Sequence, residues 1–520
     1  MFLVDQLPAW HLGCYGNPAV RTPSIDALAE HGCLFDRAYV ANPVCMPNRA
    51  TIATGRWPSA HGTHTNGVTL DPDAQTVQGL LLAAGWTTAA VGKLHFQTMG
   101  WPWEPFQREE IEAVSPLLLD PDVPDAFVRR REAGWDSFER AALHRERYVE
   151  LPSGYYGFGS VDLVVGHGDR ATGHYTHWAR ERGLDPDLAS GPARSSLRFA
   201  EWQEIYRSEI PPELYPTSYV VERTIARLEK LSEARRPFLL FCSFPDPHHP
   251  FSPPGRYFEL YDPETMALPR SFSDPLQGAP EHLKRLAQNR GKPGLDPTMT
   301  WAPNEAQLRH ALAAEFGSLA MIDEGIGKIL TALEKLGLGE DTTVIFTSDH
   351  GDMFGEHGLM LKHFVHYQSV IRVPLIIRCP GRERRLVKAL ASSADIAPTI
   401  LELAGVKAHR GIQGASLVAL LDGHVKQLRE QVVIEEDQPF SIDGLRAPVR
   451  IRTLVTERAR CTVYAGMPVG ELYDLAADPD EMTNLWGLKD HQQLKVEMME
   501  RLIAELARVA DGGIEPAASA

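Results

Sequence analysis

The sequence predicts an α/β protein: a doubly wound, mostly parallel sheet followed by a smaller C-terminal α+β unit. Short apolar runs alternate with helical patterns over most of the chain, the arrangement of βαβ units. A helical pattern over Thr217–Ala234 feeds directly into an apolar run at Phe238–Phe244, as winding about a parallel sheet requires. Past Gly423 the pattern changes to short strands and one amphipathic helix, which divides the chain into 1–425 and 426–520.

In chain order, Phe2–Val4 is the first strand candidate. Thr22-Pro23 opens a helix, with Thr22 at the N-cap, Pro23 in the first turn and Gly32 as the stop. Strands follow at Leu34–Val40 and Thr87–Val91. Residues Met99–Pro216 then break the rhythm with aromatic, Arg- and His-rich stretches such as Gly154-Tyr155-Tyr156-Gly157-Phe158 and Gly166-His167-Gly168-Asp169. An excursion this long is either a specificity element or a cover for sheet edges. We read 99–216 as a variable substrate-specificity insertion. The rhythm returns with strands at Pro237–Phe244, Thr343–Ser348 and Pro374–Arg378, and with a long helix from about Asn304 to Leu336 that stops at Gly337. In the C-terminal unit, Gln431–Glu435 and Val449–Val455 read as strands. The final helix carries Leu494, Met498, Leu502 and Leu506 at four-residue spacing, with Met499 and Ile503 beside them.

Composition narrows the function classes. Of 520 residues, 43% are hydrophobic and 23% charged, which excludes a disordered chain. The net charge of −16 excludes a broad nucleic-acid-binding face. No run of about 18 apolar residues offers a membrane span. The start has neither a basic n-region nor an apolar h-region, so a cytoplasmic protein is expected. The six cysteines form no Cys-x-x-Cys pair and are expected to be reduced, mostly buried small hydrophobes.

Ligands of an open parallel sheet gather beyond the carboxyl ends of its strands. Asp5-Gln6 follows the first strand, and Asp349-His350-Gly351-Asp352 follows Thr343–Ser348. Each alone reads as a turn or helix cap. At equivalent positions of two strands, they favour a site for a divalent cation. The most informative segment is Asn42-Pro43-Val44-Cys45-Met46-Pro47-Asn48-Arg49-Ala50-Thr51. Pro47 fits the first turn of a helix that Gly55 ends, so Cys45 sits just ahead of a helix N-terminus that favours an anion, with Arg49 a turn along as a fixed cation. An isolated Cys-x-Pro would be an ordinary buried cysteine. P-loop, Gly-x-Ser-x-Gly and His-Glu-x-x-His signatures are absent from the sequence.

Cys45-x-Pro47-x-Arg49 resembles the maturation signature of the type I sulfatases of the alkaline phosphatase superfamily, in which the cysteine is oxidised to formylglycine. Gly92-Lys93-Leu94-His95, Pro247-His248-His249-Pro250-Phe251, Ser348-Asp349-His350-Gly351, Gly355-Glu356-His357-Gly358 with Lys362, and Glu471-Leu472-Tyr473-Asp474-Leu475 resemble further family landmarks in order. The resemblance covers nearly the whole chain. It implies hydrolysis of sulfate monoesters, an alkaline phosphatase/sulfatase-like fold, and a formylglycine-generating enzyme as maturation partner. It implies metal ligands Asp5, Gln6, matured Cys45, Asp349 and His350. In the implied chemistry one hydroxyl of the hydrated aldehyde attacks sulfur and the other drives sulfate out. Arg49 and Lys93 would assist, His248 would protonate the leaving oxygen with His249 as substitute, and His95 would be the base. Lys362 would bind a sulfate oxygen, and Asn66 would donate another hydrogen bond. His11, His61, His64, His357 and His363 keep a surface or satisfied-core reading.

Two residues depart from the common pattern. Gln6 stands where many members have an acid, and His350 where they have asparagine. Calcium remains the first choice of ion, with manganese or another transition ion as the alternative a softer donor set favours. The same pair resembles phosphonate monoester and phosphodiester hydrolases and choline sulfatase, so a phosphonate or phosphodiester hydrolase is the alternative activity. Lys93-Leu94-His95 speaks for the sulfatase. A catalytically silent metal- or sugar-binding homologue is the third reading, and joint retention of Cys45, Arg49, His95 and His248 speaks against it. The substrate class is a small aryl or sugar sulfate, with the alcohol selected by 99–216.

Overall fold

The computed structural model describes every residue except 102–104, 115–119, 121, 124–131, 294–298, 443, 447 and 511–520. Its large sheet is formed by β1 (Phe2–Val4), β2 (Cys33–Tyr39), β3 (Thr87–Lys93), β4 (Ser160–Val165), β5 (Thr172–Gly173), β6 (Phe238–Ser243), β7 (Val344–Ser348), β8 (Arg372–Val373), β9 (Leu375–Arg378) and β10 (Arg385–Ser392). The order is β10-β2-β9-β7-β1-β6-β3-β4-β5, with β8 beside β2. Strands β7, β1, β6, β3 and β4 form a parallel block, and β9 runs against both of its neighbours.

Alternation within single strands shows how two cores are made. Phe2 and Val4 join one cluster with Val91, Cys242 and Phe346, while Leu3 joins the other with Ala90, Phe241 and Ile345. The first cluster is closed by the helices Pro23–Glu30, His174–Glu181, Pro216–Ala234 and Glu305–Lys335. The second is closed by Cys45–Thr54, Val77–Ala83 and Ile396–Leu403. The mostly parallel, doubly wound sheet is therefore as predicted. The long helix begins with a capping box between Asn304 and Gln307 and gives way to Gly337 at φ +69°.

Three expectations need correction. Thr22 does not cap its helix with its side chain: its hydroxyl accepts from the Gly13 N–H at 3.1 Å and donates to Asp26 at 3.2 Å. The helix end is instead satisfied by Asp323 of the long helix, which accepts from Ser24 and Ile25 at 3.1 and 2.8 Å. The 99–216 region is more than a cover, because it supplies β4 and β5 to the large sheet. Its apolar run is only Leu163–Val165, broken from Val161 by Asp162, so the aromatic and basic composition around it masks the strand. The sequence reading also missed the two-residue β8, which pairs antiparallel with β2, and β10, which pairs with β2 in parallel.

A second sheet is antiparallel: β11 (Gln431–Gln438), β12 (Val449–Thr456), β13 (Ala459–Tyr464) and β14 (Glu471–Asp474), in that order. The helix Gln492–Val509 covers one face, with Met498, Leu502 and Val509 buried against Val433, Leu454, Cys461 and Leu472. Ile503, expected on the apolar stripe, is 64% exposed because it turns to the opposite side of the helix. Among the described residues, no helix is long and apolar enough to cross a membrane. All six cysteines are unpaired, and only Cys14 escapes full burial.

Candidate active site

Register brings the first chemistry together. Val4 pairs with Ser348 at the ends of β1 and β7, so the residues that follow, Asp5 and Asp349, leave adjacent parallel strands side by side. On the other flank of β1, Leu3 pairs with Ser243 of β6, and Ser243 pairs with Gly92 of β3 just before Lys93. Gly92 has φ +103°, and a Cβ there would stand 1.8 Å from the Ser243 carbonyl oxygen, so only glycine permits this approach. Cys45 arrives from the other layer. It is the first residue of the Cys45–Thr54 helix, within the first turn rather than ahead of it, with Val44 at the N-cap. Asn66 accepts a hydrogen bond from the Met46 N–H at 3.1 Å, capping this end of the helix. Gly55, at φ +69°, ends the helix as predicted.

The Cys45 sulfur lies 3.0 Å from His350 Nε2 and 3.9 Å from Asp5 Oδ1. His350 Nε2 is 3.7 Å from both Asp5 Oδ1 and Asp349 Oδ1. The other ring nitrogen, Nδ1, lies 2.9 Å from the Gly351 carbonyl and must donate to it, which leaves the Nε2 lone pair facing the carboxylates. Burial pushes the Cys45 thiol up to about 11 although Lys93 and Lys362 pull it down. Burial also opposes ionisation of Asp5, but Lys93 and Arg49 outweigh it and hold the carboxyl well below the usual range.

Arg49 spends its guanidinium on the carboxylates: Nε donates to Asp349 at 2.7 Å and a terminal nitrogen to Asp5 at 3.3 Å, with Lys93 O and Ser243 Oγ as further acceptors. Lys93 donates to Asp5 and, at 2.6 Å, to His167 Nε2. Lys362 donates to Gln6 Oε1 at 2.7 Å and to His248 Nε2 at 2.8 Å. The Gln6 amide nitrogen donates to Asp352 at 2.7 Å and faces His249 Nδ1 at 3.3 Å. All these side chains are buried. Arg49 and Lys93 thus face Asp5 and Asp349, with Lys362 beside them on Gln6 and His248, and together they focus positive charge in an otherwise acidic protein.

Two groups of side chains could hold a metal: Asp5, Cys45, Asp349 and His350, or Asp5, Cys45, His167 and His248. The first is better suited, because the Nε2 atoms of His167 and His248 are already taken by Lys93 and Lys362. Those two imidazoles stack, with centroids 3.7 Å apart and planes at 14°. His248 Nδ1 lies 2.5 Å from the His249 carbonyl and donates to it. Burial first, then Lys362, lowers the basicity of His248 well below that of a free histidine. Trp101, 56% exposed, stands against His167 at the outer edge of the stack.

His95 is buried in a left-handed turn, φ +57°, and burial lowers its basicity well below the ordinary value. Its Nδ1 has no hydrogen-bond partner among the described residues. Lys362 sits in a turn where Leu361, His363 and Phe364 all have positive φ. That geometry costs energy for non-glycine residues and needs outside support. Asp352 accepts from Leu361 N–H at 2.9 Å, Thr300 donates to the Lys362 and His363 carbonyls at 2.6 and 2.7 Å, and Glu436 of β11 accepts from Phe364 N–H at 3.0 Å. His366 lies 3.0 Å from the same Glu436, whose carboxyl is held low by His363 and His366 in spite of burial.

Sequence reasoning missed His167, Asn48 and Glu139. His167 follows β4, so recognising Ser160–Val165 as a strand would have placed it at the same sheet edge. Asn48 bridges the Asp349 carbonyl and Ser393 at 2.5 and 2.6 Å, and was readable only as part of the helix bearing Cys45. The remaining histidines hold structural places: His11 lies 3.1 Å from Glu315, His357 lies 2.6 Å from Asp274, His61 contacts Thr51 at 3.1 Å, His64 faces its own turn, and His363 is 3.6 Å from Glu436.

The family model described as Sulfatase matches residues 1–100 and 173–406, and that of the N-sulphoglucosamine sulphohydrolase C-terminal region matches 355–508. An arylsulfatase of Clostridium perfringens is 28% identical, over 98% of this chain and 95% of that protein. An N-acetylglucosamine-6-O-sulfatase of Bacteroides thetaiotaomicron is 25% identical, over 96% of this chain and 84% of that one. The crystal structure of a phosphonate monoester hydrolase of Agrobacterium radiobacter superposes with a TM-score of 0.72 at 25% identity, covering 98% of this chain and 95% of that one.

Proposed function

The chain belongs to the sulfatase family, and from that premise we propose that it hydrolyses sulfate monoesters with a formylglycine matured from Cys45 beside one divalent cation. One observation carries this reading: Cys45 Sγ lies within 3.9 Å of both the His350 lone pair and the Asp5 carboxylate, at the first turn of a helix. The donors fit a divalent ion, since two carboxylates and an imidazole nitrogen of fixed tautomer converge beside Cys45, and the Gln6 amide oxygen, held by Lys362, would have to turn to join them. Asp5, Gln6, Asp349 and His350 would hold the ion next to position 45. Bound there, it supplies Lewis-acid polarisation and offsets negative charge. Calcium is the first choice, and the imidazole makes manganese the alternative. The matured residue supplies a hydrated aldehyde, whose two hydroxyls permit both acceptance and release of sulfate.

The chain's own groups do the rest. Lys362 and Lys93 donate toward sulfate oxygens and let a dianionic transition state form in a buried place. Arg49 bridges Asp5 and Asp349 and holds the two carboxylates together. His248 donates a proton from Nε2 to the leaving oxygen, because Nδ1 is committed to the His249 carbonyl. When Lys362 turns toward the ester, that Nε2 is left facing the leaving group. Weak basicity makes the protonated ring a strong acid. For His248→Ala, kcat/KM is expected to fall on the order of 10²–10⁴ for alkyl or sugar sulfates. The loss should be far smaller for nitrophenyl sulfate, whose phenolate leaves unaided; equal losses would remove the acid role.

The exposed Trp101 face beside His167 is where the alcohol would rest, and a flat apolar surface suits a ring-bearing alcohol, aryl or sugar. The Gln6–His350 pair favours a second reading, hydrolysis of phosphonate monoesters or phosphodiesters. The Lys93-Leu94-His95 element, which resembles that of the sulfatases, favours the sulfate ester. A panel on matured protein decides: nitrophenyl sulfate, sulfated sugars, choline sulfate and nitrophenyl phenylphosphonate, compared by kcat/KM. Preference for a sulfate ester is expected; a large preference for the phosphonate would overturn the assignment. A formylglycine-generating enzyme is the implied maturation partner, and a cytoplasmic location fits the six unpaired thiols.

A further inference from the structure

Glu139 lies in the 99–216 region, 1% exposed. Its Oε2 accepts from the His95 N–H at 2.7 Å, and its Oε1 from the Phe96 N–H at 3.1 Å and the Tyr155 hydroxyl at 2.9 Å. These partners are neutral, and burial pushes the carboxyl up to about 7. A carboxyl group buried at such cost is retained where something depends on it. What it grips is one turn. Two successive N–H groups reach a single carboxyl group only if the backbone between them turns back, and His95 does so at φ +57°.

The surrounding segments brace the same turn. Gln97 donates to the Trp135 carbonyl and accepts from the Phe138 N–H, each at 2.9 Å. Tyr156 donates to the Leu70 carbonyl at 2.7 Å, and the Leu70 N–H returns a bond to the Phe96 carbonyl at 2.9 Å. The Gly154–Phe158 stretch, unexplained by the sequence alone, is thus part of a buttress. The His95 ring has no such fixing: its Nδ1 is buried without a partner among the described residues. No hydrogen bond at that nitrogen sets the ring, so its position depends on the backbone that Glu139 grips.

We propose that Glu139, backed by Tyr155, is the positioning residue that aims His95 for the expulsion of sulfate. This rests on the proposed sulfatase reading and on the base role that the family resemblance implies for His95. In that step His95 takes a proton from a hydroxyl at position 45. The bond from carbon to the sulfate oxygen breaks, its electron pair leaves with sulfate, and the carbonyl re-forms.

The test compares Glu139→Ala, Glu139→Gln, Tyr155→Phe and His95→Ala. In unmatured protein, hydrogen exchange of the amides of residues 95–97 should quicken about tenfold or more in Glu139→Ala, with the β1 and β7 amides unchanged. In matured protein, kcat for nitrophenyl sulfate should fall about tenfold or more while kcat/KM moves less than about threefold, since only the later step is impaired. Nitrophenol should then appear in a burst equal to the enzyme. Glu139→Gln, which keeps an acceptor oxygen, should recover most of the loss. A parallel fall of kcat and kcat/KM, or faster exchange with kcat unchanged, overturns the proposal. Should Glu139→Ala not fold, Tyr155→Phe is read by the same criteria with a split of about two- to fivefold. His95→Ala separates the two levels: if it shows no burst, the base role itself fails; if it does and the Glu139 variants do not, only the positioning role fails.

Discussion

Cys45→Ala is expected to abolish turnover, on the order of 10⁴-fold or more in kcat/KM, while the protein remains folded. The thiol is small and buried, and its polar neighbours, His350 and Asp5, keep other partners after its loss. The cost to stability should therefore stay near about 1 kcal/mol, a change of a few degrees in the thermal midpoint. Cys45→Ser should be nearly as inactive, because a single hydroxyl can accept sulfate without providing the means to release it. Protein expressed without a maturation enzyme should behave like these variants, and the mass of the peptide bearing Cys45 reports the modification directly. Substantial multiple-turnover activity from Cys45→Ala would refute the assignment.

Asp5→Ala is expected to damage both chemistry and fold. The Asp5 carboxylate is bonded to Lys93 and Arg49 and faces His350, and all are buried. Removing one member of a buried ionic cluster leaves the others uncompensated, at about 3–5 kcal/mol. The same change removes a proposed metal donor, so activity should drop on the order of 10³-fold or more. Chemical denaturation measures the first effect, and metal content with restoration by added calcium or manganese measures the second. The sign with pH follows from the depressed carboxyl. Its contribution is present above the unfolded-state value of about 3.9 and is lost as pH falls toward the lower folded-state value. The stability gap between parent and variant should thus be constant near neutrality and close only in strong acid. A gap that closed on raising the pH would contradict the ion pairing.

The alternation of apolar runs and helices sufficed for the fold because a sheet covered on both faces writes its strands as short apolar runs. It failed where composition overrode that signal. Strand β4 sits among Tyr, Gly and His residues, and so a stretch belonging to the large sheet was read as an insertion alone. At the site, residues at strand ends and on the Cys45 helix were legible because topology places those positions together. Glu139 was not, since it acts through backbone N–H groups, and nothing in a sequence records which amides a carboxyl group meets. Thr22 shows the same limit on a smaller scale: a residue of suitable type stood at the helix start, but a distant aspartate made the bonds.

The grip of Glu436 on the Phe364 N–H changes what the C-terminal sheet is for. Strand β11 begins after the topological boundary, but its carboxylate stiffens the loop that carries Lys362, two residues away from the bonded amide. Residues 1–425 expressed alone would keep every proposed reacting group and the bonds from Asp352 and Thr300, but would lose that anchor and loosen the Phe364 end of the turn that carries the lysine. The change in architecture near residue 425 is not a seam along which the enzyme can be cut. The trailing module acts as a tensioner on the loop of the lysine proposed to bind sulfate, so a change in β11 can reach the proposed site without touching it.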